Sequence, residues 1–149
     1  MNLQGNKFFQ IISPQSVASS ATVTSNQFDT VGFDELQIMI TRETHSSGVL
    51  SALTLQQSDT TDATNFANVT GYVAGTDFTL ASIAPGTNTA TATPAVFNFD
   101  LRGKKRYFRI NATPSVATGY ISATAQLSRA SVTPITAANA GVTVLVNPS

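Results

Sequence analysis

The chain has 149 residues, no cysteine and a formal net charge of +0, and only 11% of its residues are charged. A chain of this length fits one domain and can bury a core without disulfides or metals. The absence of cysteine excludes disulfides, thiolate zinc sites and cysteine nucleophiles, and the neutral balance disfavours nucleic acid and anionic membrane as partners. We also expect no signal peptide and no membrane span, since no stretch approaches about 20 apolar residues.

Apolar and polar residues alternate along most of the chain, which is the pattern of strands with one buried and one solvated face. In chain order, this alternation predicts clear strands at residues 36–40, 53–55, 97–101, 108–110 and 121–127. Weaker candidates lie at residues 8–12, 17–24, 78–83 and 142–146. Glycine and proline separate these segments and helical spacing is nearly absent, so the pattern favours an antiparallel all-β sandwich or barrel.

The domain organisation follows from the same pattern. Residues 59–68 and 84–93 are polar or of low complexity and predict surface loops, the first anchored by Phe66. No composition shift marks a boundary, so residues 1–149 are expected to form one sandwich domain, with extended N- and C-terminal segments left open. Alternation does not encode strand order, and a jelly roll and an immunoglobulin-like sandwich both remain open on this ground.

The basic residues are concentrated in one short segment. All eight acidic residues lie at or before Asp100, whereas a cluster of cations follows it: Arg102, Lys104, Lys105, Arg106 and Arg109. The segment stands between two predicted strands and predicts a hairpin tip. Two interpretations remain: a solvated hairpin, or a docking element for an acidic protein surface such as a second copy of the chain. Phosphate binding with aromatic stacking is disfavoured, because Phe108 alternates in phase with Ile110 and is expected in the core.

Few residues suggest catalysis. His45 is the only histidine, and no GxSxG motif accompanies it, so a nucleophilic triad is disfavoured. Paired carboxylates for a glycosidase could come from Asp34, Glu35 or Glu43, but Asp34 and Glu35 are adjacent and therefore point to opposite faces of a strand. We therefore expect no enzyme activity and no catalytic residue.

A metal site is similarly disfavoured. Zinc needs three or four protein ligands, and the chain has one histidine and no cysteine. Calcium could use the loop carboxylates Asp59, Asp62 and Asp77, but these lack the spacing and the glycine of an EF-hand. We expect neither a metal nor a cofactor.

Two segments resemble a pattern found in small virion proteins of tailed bacteriophages. The first is a strand ending in Leu-Gln-Gln-Ser-Asp at residues 55–59, followed by a polar loop and Phe-Ala-Asn-Val at 66–69. The second is Lys-Arg-Tyr-Phe-Arg-Ile-Asn-Ala-Thr-Pro at 105–114, followed by the alternating strand at 121–129. On these segments the chain resembles the capsid decoration, or cement, proteins.

This resemblance implies a β-sandwich of jelly-roll type, with the immunoglobulin-like sandwich as the alternative. It implies many copies on the capsid exterior as dimers or trimers, with the major capsid protein as partner and assembly in the host cytoplasm. It implies no catalytic residue, and we expect neither nucleic acid nor membrane as partner. The alternative function is a tail- or fibre-associated module that recognises a cell-surface glycan.

The residues themselves predict where such a protein would make contact. The basic segment supplies Arg102, Lys104, Lys105, Arg106 and Arg109, and the C-terminal alternation supplies Val142, Val144 and Val146. The valines are interpreted either as the last strand of the chain's own sheet or as a strand added to a neighbour.

Overall fold

The computed structural model describes residues 5–42, 50–79, 94–114 and 118–131. The strands are β1 (Lys7–Val17), β2 (Val23–Thr24), β3 (Phe28–Asp29), β4 (Phe33–Arg42), β5 (Leu50–Ser58), β6 (Ala67–Val73), β7 (Ala95–Asp100), β8 (Tyr107–Pro114) and β9 (Gly119–Ala130). A 3-10 turn spans Ala63–Asn65, between β5 and β6. No helix among the described residues is long and apolar enough to cross a membrane.

Two antiparallel sheets pack face to face. Sheet A has the order β1-β9-β4-β7, and sheet B has the order β2-β8-β5-β6, with β3 also paired to β8. The short strands β2 and β3 share one partner and act as one interrupted strand. The pairs β1–β9, β2/β3–β8, β4–β7 and β5–β6 are therefore nested like a long hairpin rolled into two sheets. The predicted antiparallel sandwich is confirmed, and its strand order is that of a jelly roll and not of an immunoglobulin sandwich.

The core lies between the inner faces of the two sheets, where the alternating apolar residues meet. In β4, Leu36, Ile38 and Ile40 are buried while the intervening side chains are exposed. Phe108 of sheet B is fully buried, and its ring lies 5.4 Å from that of Phe99 in sheet A, measured between centroids. Aromatic contacts of this kind join the two sheets.

The clear strand predictions are confirmed, since each lies within one of the strands β4, β5, β7, β8 or β9 or reaches the residue that follows it. The weaker prediction at residues 8–12 is also confirmed, within β1. The prediction at 17–24 is only partly right, because β1 ends at Val17 and the chain turns through Ser20, at a φ of 61°, before β2. Residues 142–146 lie outside the described residues.

Sequence reasoning missed β6, which it assigned in part to a loop. The alternation in this strand is irregular. Val69 is buried, but the pattern is interrupted at Gly71, which has no side chain and takes a φ of 90°. Its pairing with β5 contains a register shift. A strand with so few inward apolar residues carries a weak periodic signal.

The predicted hairpin between β7 and β8 is wrong. β7 pairs with β4 in sheet A, whereas β8 pairs with β5 and with β2 and β3 in sheet B. Residues 101–106 therefore carry the chain from one sheet to the other, and we call them the inter-sheet turn. Gly103 takes a φ of 71°, and Lys104 N donates to Leu101 O at 3.0 Å. Two adjacent alternating segments predict two strands, but they do not show that the strands pair with each other.

Candidate docking surface

One end of the sandwich collects most of the charged side chains. At this end β1, β4, β6 and β8 begin and β5, β7 and β9 finish, so the inter-sheet turn lies beside the β3–β4 and β5–β6 connections. We call it the charged end. Except for Arg42, it carries every lysine and arginine of the chain: Lys7, Arg102, Lys104, Lys105, Arg106, Arg109 and Arg129. The fold thus places the basic cluster of the sequence beside acidic residues from earlier segments.

Two cations of the inter-sheet turn form ion pairs with carboxylates from distant segments. Arg106 donates to both oxygens of Asp29 in β3, at 2.9 Å from Nε and 2.6 Å from Nη2. Lys105 Nζ lies 3.4 Å from the carboxylate of Asp59, which follows β5. The hydrogen bond from Arg106 holds the pKa of the Asp29 carboxyl below its usual value, with a further contribution from Val31 N. These contacts fasten the turn to sheet B on two sides.

Arg102 and Lys104 differ in how their charges are balanced. Arg102 folds back on Asp100, and both its side chain and its backbone N–H donate to that carboxylate, with the shortest contact at 2.6 Å. These bonds hold the pKa of Asp100 well below its usual range. Lys104 has no carboxylate within ion-pair distance among the described residues, and its Nζ lies 5.8 Å from the centroid of the Phe99 ring. Lys104 is therefore the cation of the turn that an external anion can most readily approach.

Arg109 is used inside the molecule rather than presented to solvent. Its Nε donates to Gln56 Oε1 at 2.8 Å, and its Nη2 donates to the carbonyl of Ala63 at 3.2 Å. Its guanidinium carbon lies 4.2 Å from the centroid of the Phe66 ring. Arg109 thus ties β8 to the loop between β5 and β6, and the predicted anchoring role of Phe66 is seen in this contact, with Phe66 at 9% exposure.

The candidate calcium ligands are separated and have other uses. Asp62 accepts hydrogen bonds from the backbone N and the hydroxyl of Thr64 and so caps the 3-10 turn. Asp77 accepts from the backbone N of Gly71 and of Val73, at 2.9 and 3.0 Å. Within the described ranges no three His, Cys, Asp or Glu side chains are grouped as a metal site would require.

Of the three carboxylates considered for a glycosidase, Asp34 and Glu35 lie within the described residues. Glu35 accepts from the hydroxyl of Ser128 at 3.1 Å and from Arg129 Nη1 at 3.3 Å. Glu43 and His45 lie outside the described residues, as do the contact candidates Val142, Val144 and Val146.

Sequence reasoning missed a polar groove on the outer face of sheet A, with a volume of about 410 Å³. Its floor is formed by outward side chains of β4, β7 and β9, and Gln37 Nε2 donates to Asn98 Oδ1 at 2.9 Å across it. Asp34, Glu35, Asp100, Arg102 and Arg129 lie around it. The amides occupy the polar positions of the alternating strands, but the sequence alone does not show that β4, β7 and β9 are neighbours.

No known protein-family model matches the chain, and no curated protein is similar to it at a significant level.

Proposed function

We propose that the protein is a non-enzymatic structural component of a bacteriophage virion, which binds the outer surface of the capsid and stabilises it by bridging capsid subunits. The observation that carries the proposal is the charged end, where the inter-sheet turn presents exposed cations beside carboxylates from other segments. The resemblance of residues 55–69 and 105–129 to decoration proteins supports the same function.

Ion pairs within the charged end can be replaced by ion pairs with a partner protein, because their side chains are exposed. The side chains of Arg102 and Asp100 are 71% and 53% exposed, and those of Lys105 and Asp59 are 42% and 69% exposed. Exposed pairs of this kind contribute little to stability. A partner surface with complementary charges can therefore replace these internal contacts at little cost, and a mixed-sign surface makes the docking orientation specific.

The remaining surface is compatible with crowding on a lattice. The outer face of sheet A carries hydroxyl and amide side chains, including Gln37, Thr124 and Gln126, beside the exposed apolar side chains of Met39 and Val96. Neighbouring copies with a formal net charge of +0 do not repel each other at long range. A dimer or trimer that makes several modest contacts with the capsid gains avidity, because each contact after the first is effectively intramolecular.

The copy number of the chain in purified virions of its source tests the proposal. Quantitative mass spectrometry would compare it with the major capsid protein in the same particles. A ratio close to that of the capsid subunits is expected if the protein covers the lattice. A few copies per particle would instead indicate a tail or vertex protein, and complete absence would contradict any virion role.

The groove on the outer face of sheet A favours one alternative function, a tail- or fibre-associated module that binds a cell-surface glycan. Carboxylates, guanidinium groups and amides are the side chains that hydrogen-bond to sugar hydroxyls, and Glu35, Asn98 and Arg129 supply all three. A glycan array separates the two functions. Binding of a defined sugar that is lost in Asn98→Ala would support the alternative, whereas a blank array with high virion copy number would support capsid decoration.

A further inference from the structure

Three of the four outer edges of the sandwich carry features that prevent further strand pairing. On β1, register shifts lie between Gln10 and Ile12 and between Ile12 and Gln15, and Pro14 lies within the second shift. The edge formed by β2 and β3 consists of two fragments of two residues each. Bulges, prolines and short strands are the common devices by which proteins protect a sheet edge.

The edge of β6 is closed by a side chain. Asp77 Oδ2 accepts hydrogen bonds from the backbone N of Gly71 and of Val73. Ala74 N donates instead to Leu53 O of β5, so the N–H groups bound by Asp77 point away from the sheet. The carboxylate therefore occupies donors that another strand would need.

Among the described residues the β7 edge is the most open of the four, and one side-chain hydroxyl, that of Tyr72, bonds to it. Its pairing with β4 runs without a register shift from Glu35 opposite Asp100 to Ile40 opposite Ala95. The strand contains no lysine and no proline, and Pro94 precedes it. A straight edge strand with so little protection is a template for pairing with another chain.

The backbone hydrogen bonds show which groups of β7 face outward. Leu101 N donates to Asp34 O at 2.8 Å, so in an antiparallel ladder the odd-numbered residues of β7 bond to β4. The N–H and C=O groups of Val96, Asn98 and Asp100 therefore point to the outer edge. Among the described residues, the hydroxyl of Tyr72 meets this edge, where it donates to the carbonyl of Asn98.

We propose that the β7 edge pairs with β7 of a second copy about a two-fold axis, with Asn98 of one copy opposite Asn98 of the other. This antiparallel register places Val96 of each copy opposite Asp100 of the other, so all three outward residues are paired. The two four-stranded sheets become one continuous sheet. An isologous contact of this kind needs only one self-complementary element, which β7 supplies.

The charges around β7 allow a second copy to approach. The carboxylate of Asp100 is paired with Arg102 of its own chain at 2.6 Å, so the edge carries little net charge. On the outer face, Gln37 and Asn98 are hydrogen-bonded across β4 and β7, and the proposed register continues this row of amides through the two-fold axis. The pairing is a property of the chain alone and does not depend on capsid binding.

A cysteine cross-link tests the contact directly. The chain contains no cysteine, so Asn98→Cys introduces a single thiol at the proposed axis. Hydrogen-bonded antiparallel pairs have Cα atoms about 5.5 Å apart, within the range that a disulfide spans. Mild oxidation of the folded variant should give a reducible dimer on a denaturing gel. Ser13→Cys, exposed on the β1 edge of the same sheet, is the control, and equal or faster cross-linking of this control would overturn the proposal.

Backbone and side-chain variants test the pairing by sedimentation. Asn98→Pro removes an outward N–H and leaves the bonds to β4 in place, so it should lose the dimer while the thermal unfolding transition remains. Tyr72→Phe releases the Asn98 carbonyl and should lower the dimer dissociation constant several-fold. If Asn98→Pro and the parent protein sediment identically, the proposal is wrong. If Val144→Lys loses the dimer and Asn98→Cys forms no cross-link, the C-terminal segment rather than a second β7 occupies the edge, and the proposal is wrong.

Discussion

Arg106 and Asp29 form a two-point ion pair across 77 residues of sequence, with the shortest N–O distance at 2.6 Å. Asp29 ends the short strand β3, and Arg106 ends the turn that crosses from sheet A to sheet B. Thr30 strengthens the same junction, because its backbone N and its hydroxyl both donate to the carbonyl of Arg106, at 3.0 and 2.8 Å. The pair therefore fixes the position of the inter-sheet turn on the core.

Replacing Asp29 by Asn should make stability less sensitive to acid. The hydrogen bond from Arg106 lowers the pKa of Asp29 below 3.8 in the folded state. A carboxyl with a lowered pKa stabilises the fold above its unfolded pKa, and the contribution is lost as pH falls through the folded pKa. Urea denaturation should show a loss of up to about 1 kcal/mol at pH 7, since the pair is partly exposed. The difference should shrink in the acid range below pH 3.8, and a difference that persists there would contradict the assignment.

Arg109 should not tolerate lysine. Its planar guanidinium bonds to Gln56 and to the carbonyl of Ala63 while it lies over the ring of Phe66, and an ammonium group cannot reproduce this geometry. We expect Arg109→Lys to lower the free energy of unfolding by about 1–2 kcal/mol. Lys7→Arg, a change between the same residue types on β1, is the control and should be near neutral. Hydrogen exchange of the β5–β6 loop should also increase in Arg109→Lys alone.

Removing the ring of Phe108 should be severe. The side chain is fully buried and contacts the rings of Phe28 and Phe99, at centroid distances of 6.4 and 5.4 Å. Phe108→Ala leaves a cavity between the sheets and should cost about 3–5 kcal/mol, measured by chemical denaturation. Val31→Ala, at a position 62% exposed, should change stability by less than about 0.5 kcal/mol. Equal effects of the two substitutions would contradict the proposed core.

Removing the carboxylate of Asp77 should open the edge of β6. Asp77→Ala leaves the N–H groups of Gly71 and Val73 without their acceptor, and we expect a loss of about 1 kcal/mol. Asp77→Asn keeps an acceptor oxygen and should lose less. Light scattering should detect faster aggregation of Asp77→Ala on mild heating, because an open sheet edge promotes association. Unchanged aggregation would show that the carboxylate does not protect this edge.

Reversing the charge of Lys104 should weaken docking if the charged end binds the capsid. Lys104 has no ion-pair partner among the described residues, so Lys104→Glu changes the docking surface without breaking an internal pair. We expect capsid affinity to fall about tenfold at low salt, and the difference to narrow as salt increases. Lys7→Glu makes the same change in net charge within the charged end but outside the inter-sheet turn, and it should weaken docking less. Equal effects of both variants would mean that the charged end as a whole, rather than the turn, controls binding.

The sequence by itself determined which segments are strands and which of their residues face the core. Alternation depends on side chains two positions apart, so the burial of Leu36, Ile38 and Ile40 could be predicted from β4 alone. The distribution of charged residues located the basic segment, although it could not show that Arg106 has Asp29 as its partner. Alternation failed for β6, where Gly71 interrupts the periodic signal.

Only the tertiary structure decided which strands are neighbours and therefore what surfaces the protein presents. β1 pairs with β9 across more than a hundred residues, as in Lys7 opposite Leu127, and nothing in either strand alone specifies the other. The inter-sheet turn, the ion pairs of the charged end and the edge position of β7 all follow from which strands pair. The physical reason is that strand order is set by closing one core between two sheets, a global condition, whereas periodicity records only the environment of each residue.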